Sequence, residues 1–102
     1  MDLSAQAKET LKRRIVSCLS ELPEVRRIVV FGSFVDSNDP HDVDIAVFQD
    51  SEEAYYPLAM KYRRRLRSVS EQIPLDVIPV RPDPGQGFFM QEIRKGEVLY
   101  ER

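Results

Sequence analysis

Asp42 and Asp44 stand one residue apart at the head of an apolar run, Val43-Asp44-Ile45-Ala46-Val47, and Asp76 sits in a second such run, Leu75-Asp76-Val77-Ile78. An ionised carboxylate among apolar residues is costly unless water or a cation reaches it. In an extended strand residues two apart share a face, so Asp42 and Asp44 point together with α-carbons roughly 6 to 7 Å apart. Such a pair can share a metal ion. Their mutual repulsion disfavours charge on both at once, and a divalent cation between them reverses this by favouring the charged forms. Oxygen-only donors select Mg²⁺ or Mn²⁺, because neither the cysteine and histidine set of zinc nor the regular ligand spacing of a calcium loop is present. If the Asp76 strand lies beside the first, a third carboxylate joins and the cluster suits a two-metal, in-line displacement at phosphorus.

A second element of the chemistry is Gly32-Ser33, which follows directly on the β-branched run Val25 to Phe31. A residue without a β-carbon lets backbone amides approach a phosphate, and Ser33 adds a hydroxyl. Phosphate-holding loops tend to lie at the carboxyl ends of strands. The turn is not a P-loop, because no Gly-Lys-Ser or Gly-Lys-Thr follows.

These residues need elements to hold them. Leu3, Ala7, Leu11, Ile15, Leu19 and Leu22 recur at helical spacing and predict an amphipathic helix over 3–22, closed by Pro23. Val25 to Phe31 predicts a strand ending in a tight turn, residues 36–41 a loop rich in turn-formers, and 43–48 a second strand. Ser51-Glu52-Glu53 marks a helix start, Pro57 lies in its first turn or marks a late start, and Leu58, Tyr62, Leu66, Val69 and Ile73 carry its apolar face. Leu75 to Val80 is a third strand, ended by Pro79 and the proline-rich 81–85 exit loop; Phe88 to Lys95 forms a short helix capped by Gly96, and Val98-Leu99-Tyr100 extends away. The order predicts an α/β (α+β) sandwich, a small mixed sheet with helices on one side, in a single domain over 1–102.

Composition narrows the function. A chain of 102 residues, 42% hydrophobic, supports one core and no separate substrate domain. Its formal charge of -2 argues against free-standing binding to DNA or RNA. A lone Cys18, set on the apolar stripe, excludes an internal disulfide and fits a reducing cytoplasm. The charged residues among the first 22 read as neither signal peptide nor membrane span. His41 reads as a loop residue or a partner to the ligands, and the Lys61 to Arg67 basic run as a solvated helix face, with a patch for RNA or an acidic partner as the lesser reading. Phe88 and Phe89 read as core or sheet-end cover, with a partner surface as the lesser reading, and Tyr55 and Tyr56 as packing at a helix start.

Val30-Phe31-Gly32-Ser33, a loop, Asp42-Val43-Asp44-Ile45-Ala46-Val47 and the later Asp76 resemble the signature of nucleotidyltransferases of the DNA polymerase beta superfamily. The likeness is greatest to the minimal nucleotidyltransferases, small domains often paired with a helical protein and many of them antitoxins. The tail, Ile93 to Glu101, is similar too. The resemblance implies transfer of a nucleoside monophosphate, usually AMP from ATP, to an acceptor hydroxyl, here expected on a partner protein or RNA. It implies that Gly32 and Ser33 hold the nucleotide phosphates, that Asp42, Asp44 and Asp76 bind two Mg²⁺ ions, and that Asp76 helps activate the acceptor. A helical toxin or substrate-binding subunit is the implied partner, with self-association as an addition. The chain departs from the family pattern at 34–41, which is shorter and holds neither arginine nor lysine but carries Asp36 and Asp39. That departure motivates a rival expectation, an interaction protein with a decayed site that acts as a steric antitoxin or regulatory subunit.

Overall fold

The computed structural model describes residues 3–82 and 87–102, the side chains of Phe88 and Phe89 excepted. Helix α1 spans Ala5–Leu19 and starts where the Ser4 hydroxyl accepts a hydrogen bond from the Ala7 amide at 3.1 Å. It ends before the expected Leu22, which turns back into the core from beyond the helix. Strand β1 is Val25–Phe31, and after Gly32 the chain forms a single helical turn, α2 (Ser33–Asp36), where a plain turn was expected. Strand β2 is Val43–Gln49.

The next helix begins at Tyr55, later than its Ser51 signal, with Pro57 in the first turn as expected, and breaks at Leu66 into α3 (Tyr55–Arg65) and α4 (Arg67–Ser70). Strand β3 is Leu75–Val80 and runs through Pro79 instead of ending there. The sheet order explains this: β3-β2-β1-β4 puts β3 at an edge, where a missing amide costs no ladder bond. Helix α5 is Phe88–Arg94. The tail, expected only to extend away, is a fourth strand, β4 (Glu97–Glu101), antiparallel to β1. Residues 83–86 of the exit loop, and the packing proposed for Phe88 and Phe89, lie outside the described residues.

Strand β1 pairs antiparallel with β2, and β2 pairs parallel with β3, so the sheet is mixed. Its larger core lies between one sheet face and α1, α3 and α4, where Ile15, Leu19, Ile28, Ile45, Tyr62 and Leu66 are fully buried. Helices α1, α3 and α4 stand on that side as expected, whereas α5 departs from the one-sided arrangement because Ile93 finds a second apolar patch. On the opposite face α5 makes a smaller cluster, Ile93 packing with Val29, Phe31, Ala46, Phe48 and Val80. The pleat puts Asp44 on this second face, in line with Ala46 and Phe48. No helix among the described residues is long and apolar enough to cross a membrane.

Candidate metal and nucleotide site

The parallel pairing of β2 and β3 sets Asp44 directly opposite Asp76, and Asp42 stands one residue before β2. Each of the three carboxylates offers an oxygen, and these oxygens all lie within 4.8 Å of one another. The pair read from local spacing and the third aspartate from a distant run thus meet at one end of the sheet. Burial pushes the Asp44 carboxyl above the ordinary carboxylate range, and the charges of Asp42 and Asp76 push it the same way.

Gly32 closes the other side of the cluster. It carries a positive φ of 79°, with ψ at -153°, a region open in practice only to glycine. A β-carbon there would stand 2.6 Å from Asp44 Oδ2. The glycine is therefore required for clearance of a carboxylate as well as for backbone conformation. Ser33, exposed, opens α2, in which the Val35 and Asp36 amides are taken by the Gly32 carbonyl at 3.1 and 3.4 Å.

The loop that follows has no basic residue of its own, but Lys8 of α1 reaches it. The Lys8 ammonium donates to the Ser37 carbonyl and lies 5.6 Å from the centre of the Phe34 ring. Phe34 is fully buried and Asp36 and Asp39 are exposed. His41 is exposed in the loop, as read from the sequence.

Two neighbours of the cluster were not foreseen as such. Arg63 of α3 reaches around the β3 edge and its guanidinium lies 3.3 Å from Asp76 Oδ1. Tyr55, expected to pack, is 59% exposed and lines a cleft of about 270 Å³ with Phe31, Asp44, Arg63 and Asp76. Tyr56, also expected to pack, is 72% exposed. The available signal was helical phase: Tyr62 and Leu66 fix the buried face, which leaves Tyr56 and Arg63 outside it.

Residues 13–102, which hold all of these groups except Lys8, match the family described as polymerase beta, nucleotidyltransferase. The chain belongs to that nucleotidyltransferase family. Among curated proteins no sequence matches it. Solved structures share its fold, three of them as follows. A tri-AMPylated Shewanella oneidensis HEPN toxin in complex with an MNT antitoxin superposes with a TM-score of 0.66 at 21% identity, over 93% of this chain and 73% of that one. The toxin-antitoxin MntA-HepT gives 0.63 at 20% identity, over 92% and 73%. A toxin-antitoxin complex with AMP-PNP gives 0.70 at 19% identity, over 89% and 73%. At such identities the likeness to these structures is one of fold, and it agrees with the family assignment of this nucleotidyltransferase domain.

Proposed function

We propose that this nucleotidyltransferase domain is a Mg²⁺-dependent enzyme that transfers AMP from ATP to a hydroxyl of a partner protein, as the antitoxin of a cytoplasmic toxin-antitoxin pair. The observation that carries the reading is the cluster of three carboxylates with oxygens within 4.8 Å. The donor set fits the metal: all ligands are hard oxygens, and Asp44 is held in a setting that disfavours its charge until a cation arrives. Asp42 and Asp44 would ligate the ions, two when nucleotide is bound, and Asp76 would complete the set. Bound Mg²⁺ supplies charge neutralisation on the triphosphate and eases ionisation of the acceptor hydroxyl.

The chain's own residues do the rest. Gly32 and Ser33 offer backbone amides and a hydroxyl to the nucleotide phosphates, which fixes the α-phosphorus before the carboxylates. Asp76, exposed to solvent, takes the acceptor proton and can pass it to water. The acceptor oxygen forms a bond to the α-phosphorus, the bond to the bridging oxygen breaks, and pyrophosphate leaves. The AMPylated toxin and the AMP-PNP complex among the structural neighbours support adenylate as the transferred group.

A second reading, a steric antitoxin without catalysis, is favoured by one observation: the 34–41 segment carries Asp36 and Asp39 and no cation of its own. Incubation with labelled ATP, Mg²⁺ and the protein encoded beside it tests both. Label transfer that disappears in an Asp42→Ala, Asp44→Ala double variant is expected. Absence of transfer, with toxin neutralisation that survives the double substitution, would remove catalysis and leave the binding protein.

A further inference from the structure

Helix α3 buries Leu58, Tyr62 and, at its end, Leu66. That phase turns another stripe away from the core: Tyr56, Met60, Arg63 and, past the break, Arg67, at spacings of four, three and four residues. Tyr56 begins it and Tyr55 stands beside it; at 72% and 59% exposed they are two of the three exposed large hydrophobic side chains among the described residues.

The charges on this helix divide into two sets. Lys61 is held by Glu24 at 2.9 Å and Glu53 at 3.1 Å, and Arg65 by Glu21 at 3.4 Å. Arg64 and Arg67 are exposed and have no carboxylate contact among the described residues. They form a positive strip on a chain whose net charge is -2. A face kept only for solubility mixes both signs. This one instead joins tyrosine and arginine, the residue types that dominate protein-protein hot spots.

Arg63 ties the strip to the chemistry, because it belongs to the stripe and also lies 3.3 Å from Asp76 Oδ1. Tyr55 and Arg63 line the same cleft as Asp44 and Asp76. Anything laid along the strip from Arg67 towards Tyr55 passes the mouth of that cleft.

We infer that this face of α3 and α4 docks an acidic polypeptide segment of the acceptor protein and so brings its hydroxyl to the carboxylate cluster. The inference rests on the reading of the chain as a transferase with a protein acceptor. A polypeptide fits better than RNA, because exposed Glu52 and Glu53 flank one end of the strip and Glu71 the other. A phosphodiester chain, charged at every step, needs an unbroken positive track. A peptide can place a few carboxylates opposite Arg63, Arg64 and Arg67 and its apolar side chains against Tyr55 and Tyr56. A partner carboxylate at Arg63 also competes with Asp76, so that docking releases Asp76 Oδ1.

The test is fluorescence anisotropy with the full chain and a labelled synthetic peptide of glutamates and tyrosines among alanines. A lysine-for-glutamate peptide and an oligouridylate serve as controls. The glutamate peptide is expected to bind in a salt-sensitive manner, the lysine peptide not to bind, and an Arg64→Glu, Arg67→Glu variant to lose about tenfold or more in affinity with unchanged thermal melting. Tyr56→Ala, which leaves every charge in place, is expected to weaken binding as well. The Asp42→Ala, Asp44→Ala variant is expected to bind undiminished, which separates docking from catalysis. Failure of the wild type to bind the peptide, or equal binding by the charge-reversed variant, overturns the inference. Tighter binding of oligouridylate that the same variant loses overturns it in favour of RNA. Label transfer to the partner that does not depend on Arg64 and Arg67 overturns the dock and leaves the transferase reading intact.

Discussion

At Gly32 two demands coincide, a backbone conformation with φ at 79° and the clearance of Asp44 Oδ2, which a β-carbon would approach to 2.6 Å. Gly32→Ala is therefore expected to cost about 1–3 kcal/mol of stability from strain alone, read as a lower denaturant midpoint. It is also expected to weaken Mn²⁺ binding in calorimetry by displacing the Asp44 carboxylate. Asp44 gives a prediction of opposite sign. Its carboxyl is raised in the fold by burial, then by Asp42 and Asp76, so the ionised form is disfavoured there relative to the unfolded chain. Its contribution to stability is best at low pH and declines as pH climbs from the ordinary carboxylate value through the raised one. In chelator at neutral pH, Asp44→Asn is expected to melt a few degrees above wild type, with the gain fading in acid, while its Mn²⁺ affinity falls. The aspartates and the glycine were legible in the sequence because alternation in a strand and a strand-to-turn junction are local facts. Arg63 was not, because it reaches Asp76 across the edge of β3 from a helix whose phase reports only its own buried side.

Between elements the fold depends on contacts that local pattern does not encode. Glu24, in the turn after α1, accepts from Lys61 Nζ at 2.9 Å and from the Tyr62 hydroxyl at 3.2 Å, tying that turn to α3. Burial acts to raise the Glu24 carboxyl, but the Lys61 hydrogen bond, its own backbone amide, the Lys61 charge and the Tyr62 hydroxyl together outweigh it and hold it below the usual carboxylate range. A depressed carboxylate stabilises the fold above its unfolded value and loses that contribution as pH falls through the folded one. Glu24→Gln is expected to cost about 1–2 kcal/mol at neutral pH, shrinking towards nothing in acid, as chemical denaturation across a pH series would read. Strands β1, β2 and β3 could be read from β-branched runs, and the helices from apolar phase. Strand β4 could not, because Glu97 to Glu101 is only five residues long and exists by pairing with β1 some seventy positions earlier in the chain. Gly96, expected as a helix cap, follows the C-cap Lys95 with its amide on the Ile93 carbonyl at 3.0 Å, and is a packing glycine as well. A β-carbon there would lie 2.9 Å from Phe31 Cβ, so the short α5-to-β4 turn and the end of β1 fix each other.

For the molecule as a whole, the site lies on the sheet face that α5 covers only in part, at the end of the sheet where β2 and β3 bring three carboxylates together. Such a cluster opposes folding while empty and supports it when a cation is bound, so metal affinity and global stability are linked. A ligand that binds only the folded chain stabilises it by about 2.7 kcal/mol at a free concentration one hundred times its dissociation constant. For a domain of this size roughly 4–8 °C of melting temperature accompanies each kcal/mol, so saturating Mn²⁺ is expected to raise the melting temperature by roughly ten degrees or more. Arg63→Ala removes a cation that competes for Asp76, and is expected to shift the half-saturating Mn²⁺ concentration in the same thermal series downward a few-fold. An exposed ion pair of this kind is worth only about 0–1 kcal/mol, which sets that limit. The Asp42→Ala, Asp44→Ala variant is expected to show no metal-dependent rise while melting at or above wild type in chelator. A rise equal to wild type in that variant would place the ion elsewhere on the chain and separate the carboxylate cluster from the metal chemistry assigned to it.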